Sequence, residues 1–178
     1  MQIYLGLLES SLPHQTRIFG AVDDTLIDLN LAYTACLTEG GDRFSAYQRA
    51  AFYFPETLAE FLERGEQSLR ALEEVASYAR QTGVRDLRGP SGEKVAYDLG
   101  EIRVLPPLQN PEKSFVIGFS DQARVEAMPK AEIPTGFYKL PQTFLAGGAP
   151  IIWPKFSAEV HADACLGLVI GKTGKRID

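Results

Sequence analysis

The pattern of apolar and polar positions divides the chain into strands, then helices, then strands again. Residues 1–8, 17–22 and 25–29 are β-prone runs, and the turn dipeptide Asp23-Asp24 separates the last two. Two such runs joined by a two-residue turn are typical of a β-hairpin. The start of the chain is therefore predicted to form a strand followed by a hairpin.

Three helices are predicted to follow. The first covers residues 31–37 and stops at Gly40-Gly41. The second covers residues 55–65, where Thr57 and Glu60 have the spacing of a capping box. The third runs from residue 66 to about residue 80 and ends before Gly83, and a stripe of period near 3.6 predicts its buried face. The stripe comprises Leu69, Leu72, Val75 or Ala76, and Ala79.

Short β-like runs return after Gly83. The predicted strands are residues 94–98, 102–105, 114–119, 137–139, 151–153 and a long strand at 160–170, with a turn at 145–150. The Pro106-Pro107 pair blocks helix and ladder hydrogen bonds and suits a domain junction at about residues 106–112. We therefore expect an α+β protein with a small N-terminal α+β domain at 1–108, followed at 109–178 by the beginning of a mixed, β-rich domain.

Composition narrows the possible partners. The 178 residues are 45% hydrophobic and carry a formal net charge of −5. Nucleic acid and anionic membranes bind to a basic face of a protein, so neither is expected as a partner.

No leader or membrane span is recognisable in the sequence, and we expect a cytoplasmic protein. Cys36 and Cys165 lack the spacing of a disulfide framework or metal motif and are expected to be reduced.

The segment "ACLGLVIGKTG" at residues 164–174 has the appearance of a phosphate-binding loop. Such loops require Gly, four residues, and then Gly-Lys-Ser/Thr. Only three residues, all strand formers, separate Gly167 from Gly171. The pattern instead favours a strand that runs into a turn, so a nucleotide site is not expected here.

Several segments in the second half resemble the fumarylacetoacetate hydrolase family. They are "KSFVIGFSDQARVEA" at 113–127, "GFYKLPQTFLAGGAPIIWP" at 136–154 and "SAEVHADACLGLVIGKTGKRI" at 157–177. The second contains the Phe-x-Lys-x-Pro segment of the family, and the third is similar to its long strand. The hairpin and the helices near the start are also similar to the smaller N-terminal domain of many members. The order of these segments carries the resemblance.

The resemblance implies a catalytic domain of the fumarylacetoacetate hydrolase type. Its members are hydrolases, decarboxylases or isomerases of small 2-oxo or 2,4-dioxo acids and depend on Mg²⁺, Mn²⁺ or a similar cation. They are usually dimers and continue for on the order of a hundred residues beyond the long strand, about a domain's worth of chain. The resemblance therefore implies a small oxo-acid ligand, and a homo-oligomer or a complementary chain that completes the sheet.

The residues at the functional positions of the family differ from its pattern. Asp163 and Cys165 stand where members carry two metal-binding Glu, and His161 replaces the acidic residue ahead of them. Thiolate is a poor ligand for Mg²⁺, because hard cations select oxygen. Arg124 occupies the position of the catalytic His, and arginine stays protonated, so it is not an ordinary general base. Lys139 matches the family's lysine and is the candidate for binding a substrate carboxylate.

Two alternatives use the residues that are present. On a strand, His161, Asp163 and Cys165 alternate at i, i+2 and i+4, so their side chains would share one face and could hold a transition metal such as Zn²⁺. Arg124 and Lys139 could instead clamp an anion without turnover. The chain is thus interpreted either as part of a metal-dependent enzyme or as a degenerate relative that serves as a structural, regulatory or anion-binding subunit.

Overall fold

The structure, a computed structural model, describes residues 1–8, 15–118 and 135–175. Its strands are β1 (Gln2–Leu8), β2 (Thr16–Val22), β3 (Thr25–Asp28), β4 (Ala96–Tyr97), β5 (Ile102–Val104), β6 (Phe115–Ile117) and β7 (Gly136–Tyr138). Its helices are α1 (Leu29–Glu39), α2 (Ala46–Tyr53), α3 (Leu58–Glu63) and α4 (Glu66–Thr82). This combination of helices and antiparallel strands confirms the predicted α+β class.

Five strands form an antiparallel sheet in the order β4-β3-β2-β1-β5. The β2–β3 hairpin confirms the predicted turn, because Val22 pairs with Thr25 across Asp23-Asp24. Asp23 adopts the left-handed backbone with a φ of 52°, which is a conformation that Asp tolerates in tight turns. Turn chemistry therefore determines the register of the two strands.

Local capping determines where the helices begin and end. The hydroxyl of Thr57 accepts a hydrogen bond from the backbone N–H of Glu60 at 3.3 Å, which confirms the predicted cap, although α3 (Leu58–Glu63) is shorter than the predicted 55–65. Gly40 ends α1, and Gly83, with a φ of 91°, ends α4. The positive φ of Gly83 is one that residues with a Cβ rarely adopt, whereas Gly40 keeps right-handed helical dihedrals.

Two details of the helical region differ from the prediction. Helix α2 was not predicted, because its sequence AYQRAAFY has only a weak apolar periodicity. On α4, Leu72, Val75, Ala76 and Ala79 are buried as predicted, whereas Leu69 is half exposed. The interior position next to it belongs to Ser68, whose hydroxyl donates to the Tyr53 carbonyl oxygen at 3.1 Å. A buried polar group is tolerated there because it is hydrogen-bonded.

Aromatic side chains fill the core between the sheet and the helices. The ring of Phe54 stacks on Phe61 with centroids 5.9 Å apart, and Tyr33 contacts Phe54 edge to face at 5.4 Å. All three side chains are buried. A second, smaller cluster includes Phe19 and Tyr97, whose rings meet edge to face. Burial of side chains of this size stabilises the fold by about 1.5–3 kcal/mol each.

The last part of the described chain contains one small sheet. Strands β6 and β7 pair antiparallel, and the rings of Phe115 and Tyr138 are 5.2 Å apart. These strands confirm the predictions at 114–118 and 137–139, whereas residue 119 lies outside the described residues. The Gly147 N–H donates to the Val104 carbonyl oxygen at 2.9 Å and so meets the edge strand β5. The division at residue 108 stays a prediction.

The strands predicted at 151–153 and 160–170 are wrong. Neither segment has a ladder partner in the described part of the chain, and both run without regular secondary structure. Leu166, Leu168 and Ile170 are 89%, 82% and 84% exposed, so the expected burial is absent as well. An apolar run becomes a strand only when a neighbouring segment pairs with its backbone N–H and C=O groups.

Within the described ranges, none of the helices is both long and apolar enough to cross a membrane.

Candidate functional site

Lys139 follows directly after β7 and is held there through its backbone. Its N–H donates to the Ser114 carbonyl oxygen at 2.9 Å, which extends the pairing of the small sheet by one step. The ammonium lies 5.7 Å from the centroid of the Phe137 ring, and the residue is exposed. A cation over an exposed ring gains only about 0.5–1 kcal/mol. The small sheet of β6 and β7 therefore presents Lys139 in a form that can pair with a carboxylate.

His161 belongs to a segment shaped by short-range hydrogen bonds. The indole N–H of Trp153 donates to the Ser157 carbonyl oxygen at 3.0 Å, and the Ser157 hydroxyl donates to the Glu159 carbonyl oxygen at 2.6 Å. The His161 Nε2 lies 3.5 Å from a carboxylate oxygen of Glu159, and both side chains are more than 80% exposed. Residues 158–170 run without regular secondary structure, so the strand that was expected to align His161, Asp163 and Cys165 on one face is not formed.

Asp163 and Cys165 are exposed in the same irregular segment. No group of three or more His, Cys, Asp or Glu side chains that could hold a metal ion occurs among residues 1–8, 15–118 and 135–175. Of the two residues at the family's Glu positions, only Asp163 offers the oxygens that Mg²⁺ and Mn²⁺ select. The described residues thus do not fit a hard-cation site by themselves, and the metal-binding roles of Asp163 and Cys165 stay predictions.

Arg124, which was predicted to stand at the position of the catalytic His, lies outside the described residues. Its pairing with Lys139 in an anion clamp also stays a prediction. The structure therefore locates three of the four predicted site residues, and among the described residues Asp163 and Cys165 belong to no group of three His, Cys, Asp or Glu side chains that could hold a metal ion.

Sequence reasoning missed a buried ion pair in the N-terminal sheet, between β2 and the end of β3. The carboxylate of Asp28 is fully buried, and one of its oxygens accepts a hydrogen bond from Arg17 Nη1 at 2.5 Å. The other oxygen accepts from the Leu31 N–H at 3.1 Å and caps α1. An Asp just ahead of a helical run is an N-cap signal, so this role was detectable. The Arg17 partner was not, because it depends on the pairing of β2 with β3.

Comparison with known proteins gives this second half of the chain a family. Residues 115–178 match the model of the fumarylacetoacetate (FAA) hydrolase C-terminal domain. The mitochondrial oxaloacetate tautomerase of Xenopus laevis is 30% identical over 125 residues, and related tautomerases of Bos taurus and Homo sapiens are 29% and 28% identical over the same length. The aligned stretch is longer than residues 115–178, so the similarity also includes residues ahead of β6.

The alignment with each of these relatives covers 69% of this chain and 35% of the relative. The chain therefore spans about a third of the length of the curated relatives it matches. The match to the domain model, residues 115–178, includes the segments that carry the Lys139 and Asp163 positions. Over this part of its length, the chain belongs to the fumarylacetoacetate hydrolase family.

Proposed function

We propose that this chain is part of a divalent-metal-dependent enzyme that acts on small 2-oxo or 2,4-dioxo acids. The observation that carries the proposal is the match of residues 115–178 to the FAA hydrolase C-terminal domain. Hydrolysis, decarboxylation and isomerisation all belong to this class. Because similar curated proteins are named oxaloacetate tautomerases, keto–enol isomerisation of oxaloacetate is the first reaction to test.

Within this proposal Lys139 binds the substrate. Its exposed ammonium is a point charge that can pair with one carboxylate of an oxo-dioate. Asp163 would supply oxygen to Mg²⁺ or Mn²⁺, and a bound cation would supply Lewis-acid stabilisation of enolate charge. The sulfur of Cys165 is not a ligand that Mg²⁺ or Mn²⁺ selects. The remaining oxygen ligands of the cation would therefore come from other residues.

We also propose that residues 160–170 are covered in the active assembly, either by a second copy of the chain or by a complementary chain. The support is the exposure of Leu166, Leu168 and Ile170, because apolar segments of this kind are otherwise prone to aggregate. A strand added alongside this segment would pair with its backbone N–H and C=O groups. The cytoplasmic location stays a prediction, and the similar curated proteins are named as mitochondrial.

A second candidate function is that of a catalytically degenerate subunit. Arg124 at the His position and Cys165 at a Glu position favour it, since neither supports the chemistry of the residue that it replaces. Such a subunit would bind an oxo-acid anion through Arg124 and Lys139 without converting it.

Metal analysis by inductively coupled plasma, combined with turnover assays, separates the two candidates. We expect stoichiometric metal, and conversion of oxaloacetate or an acylpyruvate when Mg²⁺ or Mn²⁺ is added. Lys139→Met should raise KM by about tenfold or more, as expected for a lost charge-assisted hydrogen bond, whereas Lys155→Met, at an exposed lysine nearby, should leave KM unchanged. Folded protein without metal or turnover would establish the degenerate subunit instead. The intact mass of the native gene product should be measured in parallel.

A further inference from the structure

A pocket of about 350 Å³ opens beside β4, at one edge of the five-stranded sheet. We call it the β4-edge pocket. Its charged lining consists of Arg85, Arg88, Lys94, Asp98 and Glu101. Three cations and two carboxylates leave a local formal charge of +1 in a chain whose net charge is −5. The pocket is thus locally attractive to anions, in contrast to the molecule as a whole.

Two of the three cations already have carboxylate partners. Arg85 Nη2 lies 3.1 Å from an oxygen of Asp98, and Lys94 Nζ lies 2.5 Å from an oxygen of Glu101. The other Glu101 oxygen accepts from the Asp98 N–H at 3.0 Å. The hydrogen bonds from Lys94 and from the Asp98 backbone lower the pKa of Glu101 from its ordinary value. These pairs are exposed and each stabilises the fold only slightly.

Arg88 is the third cation, and it differs from the other two. Its Nη1 donates to the carbonyl oxygens of Arg85 and Leu87, at 3.0 and 2.7 Å. Over the described ranges of the chain, no carboxylate lies within salt-bridge distance of its guanidinium. The two backbone contacts hold the guanidinium in place, and its remaining N–H groups are available to a ligand.

Arg88 and Lys94 also face each other directly. They form an isolated antiparallel bridge, so their side chains leave the backbone on the same side, and both line the pocket. Like charges opposite each other on paired strands are destabilising. Glu101 offsets the charge of Lys94 but not that of Arg88. Arg88 therefore keeps a charge that Glu101 does not offset, beside the Lys94–Glu101 pair, and an anion in the pocket would offset it, which is a reason beyond the pocket's shape to expect a ligand.

We propose that the β4-edge pocket binds a small divalent oxyanion of the phosphate class, either free phosphate or the phosphate group of a monoester. A tetrahedral dianion presents oxygens in several directions, so it can contact a guanidinium fork and an ammonium at once. The site lies in the sheet-and-helix region, away from the segments that carry Lys139 and Asp163 along the chain. It therefore does not depend on the proposed enzymatic function.

Titration of the ¹⁵N-labelled full chain, followed by ¹H–¹⁵N NMR at constant ionic strength, tests the proposal. Inorganic phosphate and methyl phosphate are the two probes, with chloride as the matched salt. We expect saturable shifts of backbone amides in residues 85–101. Binding of both probes would show that the site accepts the phosphate group of a monoester as well as the free ion. Binding of inorganic phosphate alone would show that it accepts only the free ion.

Variants identify the group responsible. Arg88→Gln should weaken phosphate binding at least about threefold, because the guanidinium is lost from a partly exposed site. Arg70→Gln removes an exposed arginine that pairs with Glu66 on α4 and should leave the affinity unchanged. If circular dichroism shows that Arg88→Gln is unfolded, Arg88→Lys replaces it and should bind with intermediate affinity. Non-saturable shifts with both probes, or equal affinities for the wild type and the folded Arg88 variant, would overturn the proposal.

Discussion

Arg17 on β2 and Asp28 at the end of β3 form an ion pair at the point where the sheet passes into α1. Asp28 is fully buried, whereas the Arg17 side chain is 28% exposed. One carboxylate therefore serves two elements, since it binds the guanidinium with one oxygen and caps the helix with the other. Removal of Arg17 would leave the buried carboxylate without its charged partner, and removal of Asp28 would leave the guanidinium and the Leu31 N–H without their acceptor.

Asp28→Ala should destabilise the fold by about 2–4 kcal/mol, the combined scale of a lost N-cap and a lost charge-assisted hydrogen bond. Asp28→Asn keeps an oxygen that can cap the helix, so it should cost about half as much. Urea unfolding followed by circular dichroism measures both. Arg70→Ala, which removes only the exposed pair with Glu66, is the control and should change the stability by less than about 0.5 kcal/mol. Equal effects of Asp28→Ala and Arg70→Ala would contradict the assignment.

The carboxyl of Asp42 provides a pH-dependent prediction. Hydrogen bonds from the Ser45 hydroxyl and the Ser45 N–H, followed by one from Arg49, lower the pKa of Asp42 to about 2. A carboxylate with a depressed folded-state pKa contributes stability above its unfolded value of about 3.9, and this contribution is lost as the pH falls from about 4 towards 2. Ser45→Ala should raise the pKa of Asp42, which ¹³C NMR of the side-chain carboxyl can follow.

The control for this titration is Ser77→Ala, at a serine whose hydroxyl contacts Gln81 on the surface of α4. That substitution should leave the Asp42 titration unchanged. A pKa of Asp42 that stays the same after Ser45→Ala would mean that the serine hydroxyl is not the main cause of the shift.

Gly136 allows the close approach of β6 and β7. A Cβ at this position would collide with the carbonyl oxygen of Val116, and a backbone atom cannot rotate away. Gly136→Ala should therefore open the small sheet, and a packing cost of about 1–3 kcal/mol corresponds to about five- to 150-fold faster amide exchange. Hydrogen exchange of the Lys139 N–H, which bonds the Ser114 carbonyl oxygen, reports this opening.

Gly147→Ala is the matched control for the small sheet. A Cβ there would lie 3.6 Å from the Val104 Cβ, which is ordinary van der Waals contact. The exchange of the Lys139 N–H should be the same in this variant as in the wild type. If Gly136→Ala also left it unchanged, the steric explanation for the glycine would be wrong.

The two cysteines should react with iodoacetamide at different rates. Burial, followed by the charges of Glu74 and Glu39, raises the pKa of Cys36, and the residue is only partly accessible. Cys165 is exposed. Because alkylation requires an accessible thiolate, Cys165 should be modified first, as peptide mass spectrometry can determine. Cys165→Ser should remove the fast phase alone. Slow modification of Cys165 would instead indicate that this segment is covered, as expected if a partner binds residues 160–170.

Features that depend on neighbouring residues in the chain could be predicted from the sequence. The turn at Asp23-Asp24, the Thr57 cap and the stop at Gly83 all agree with the structure. Each depends on contacts within about four residues, where turn and capping chemistry dominate. Helix α2 was missed because tertiary packing stabilises it: its Ala46 and Ala50 are buried although the helix has little apolar periodicity.

For the candidate site, the sequence predicts the residue types but not which segments lie next to each other. The residue types at Lys139, Asp163 and Cys165, and the family to which residues 115–178 belong, could be read from the sequence. The sequence alone also determined the α+β class and the location of the first hairpin. Only the tertiary structure decided that residues 160–170 do not form a strand and that Arg88 faces Lys94. A ladder and a cross-strand charge pair both need a second segment, and the pattern of one segment does not specify which neighbour it meets.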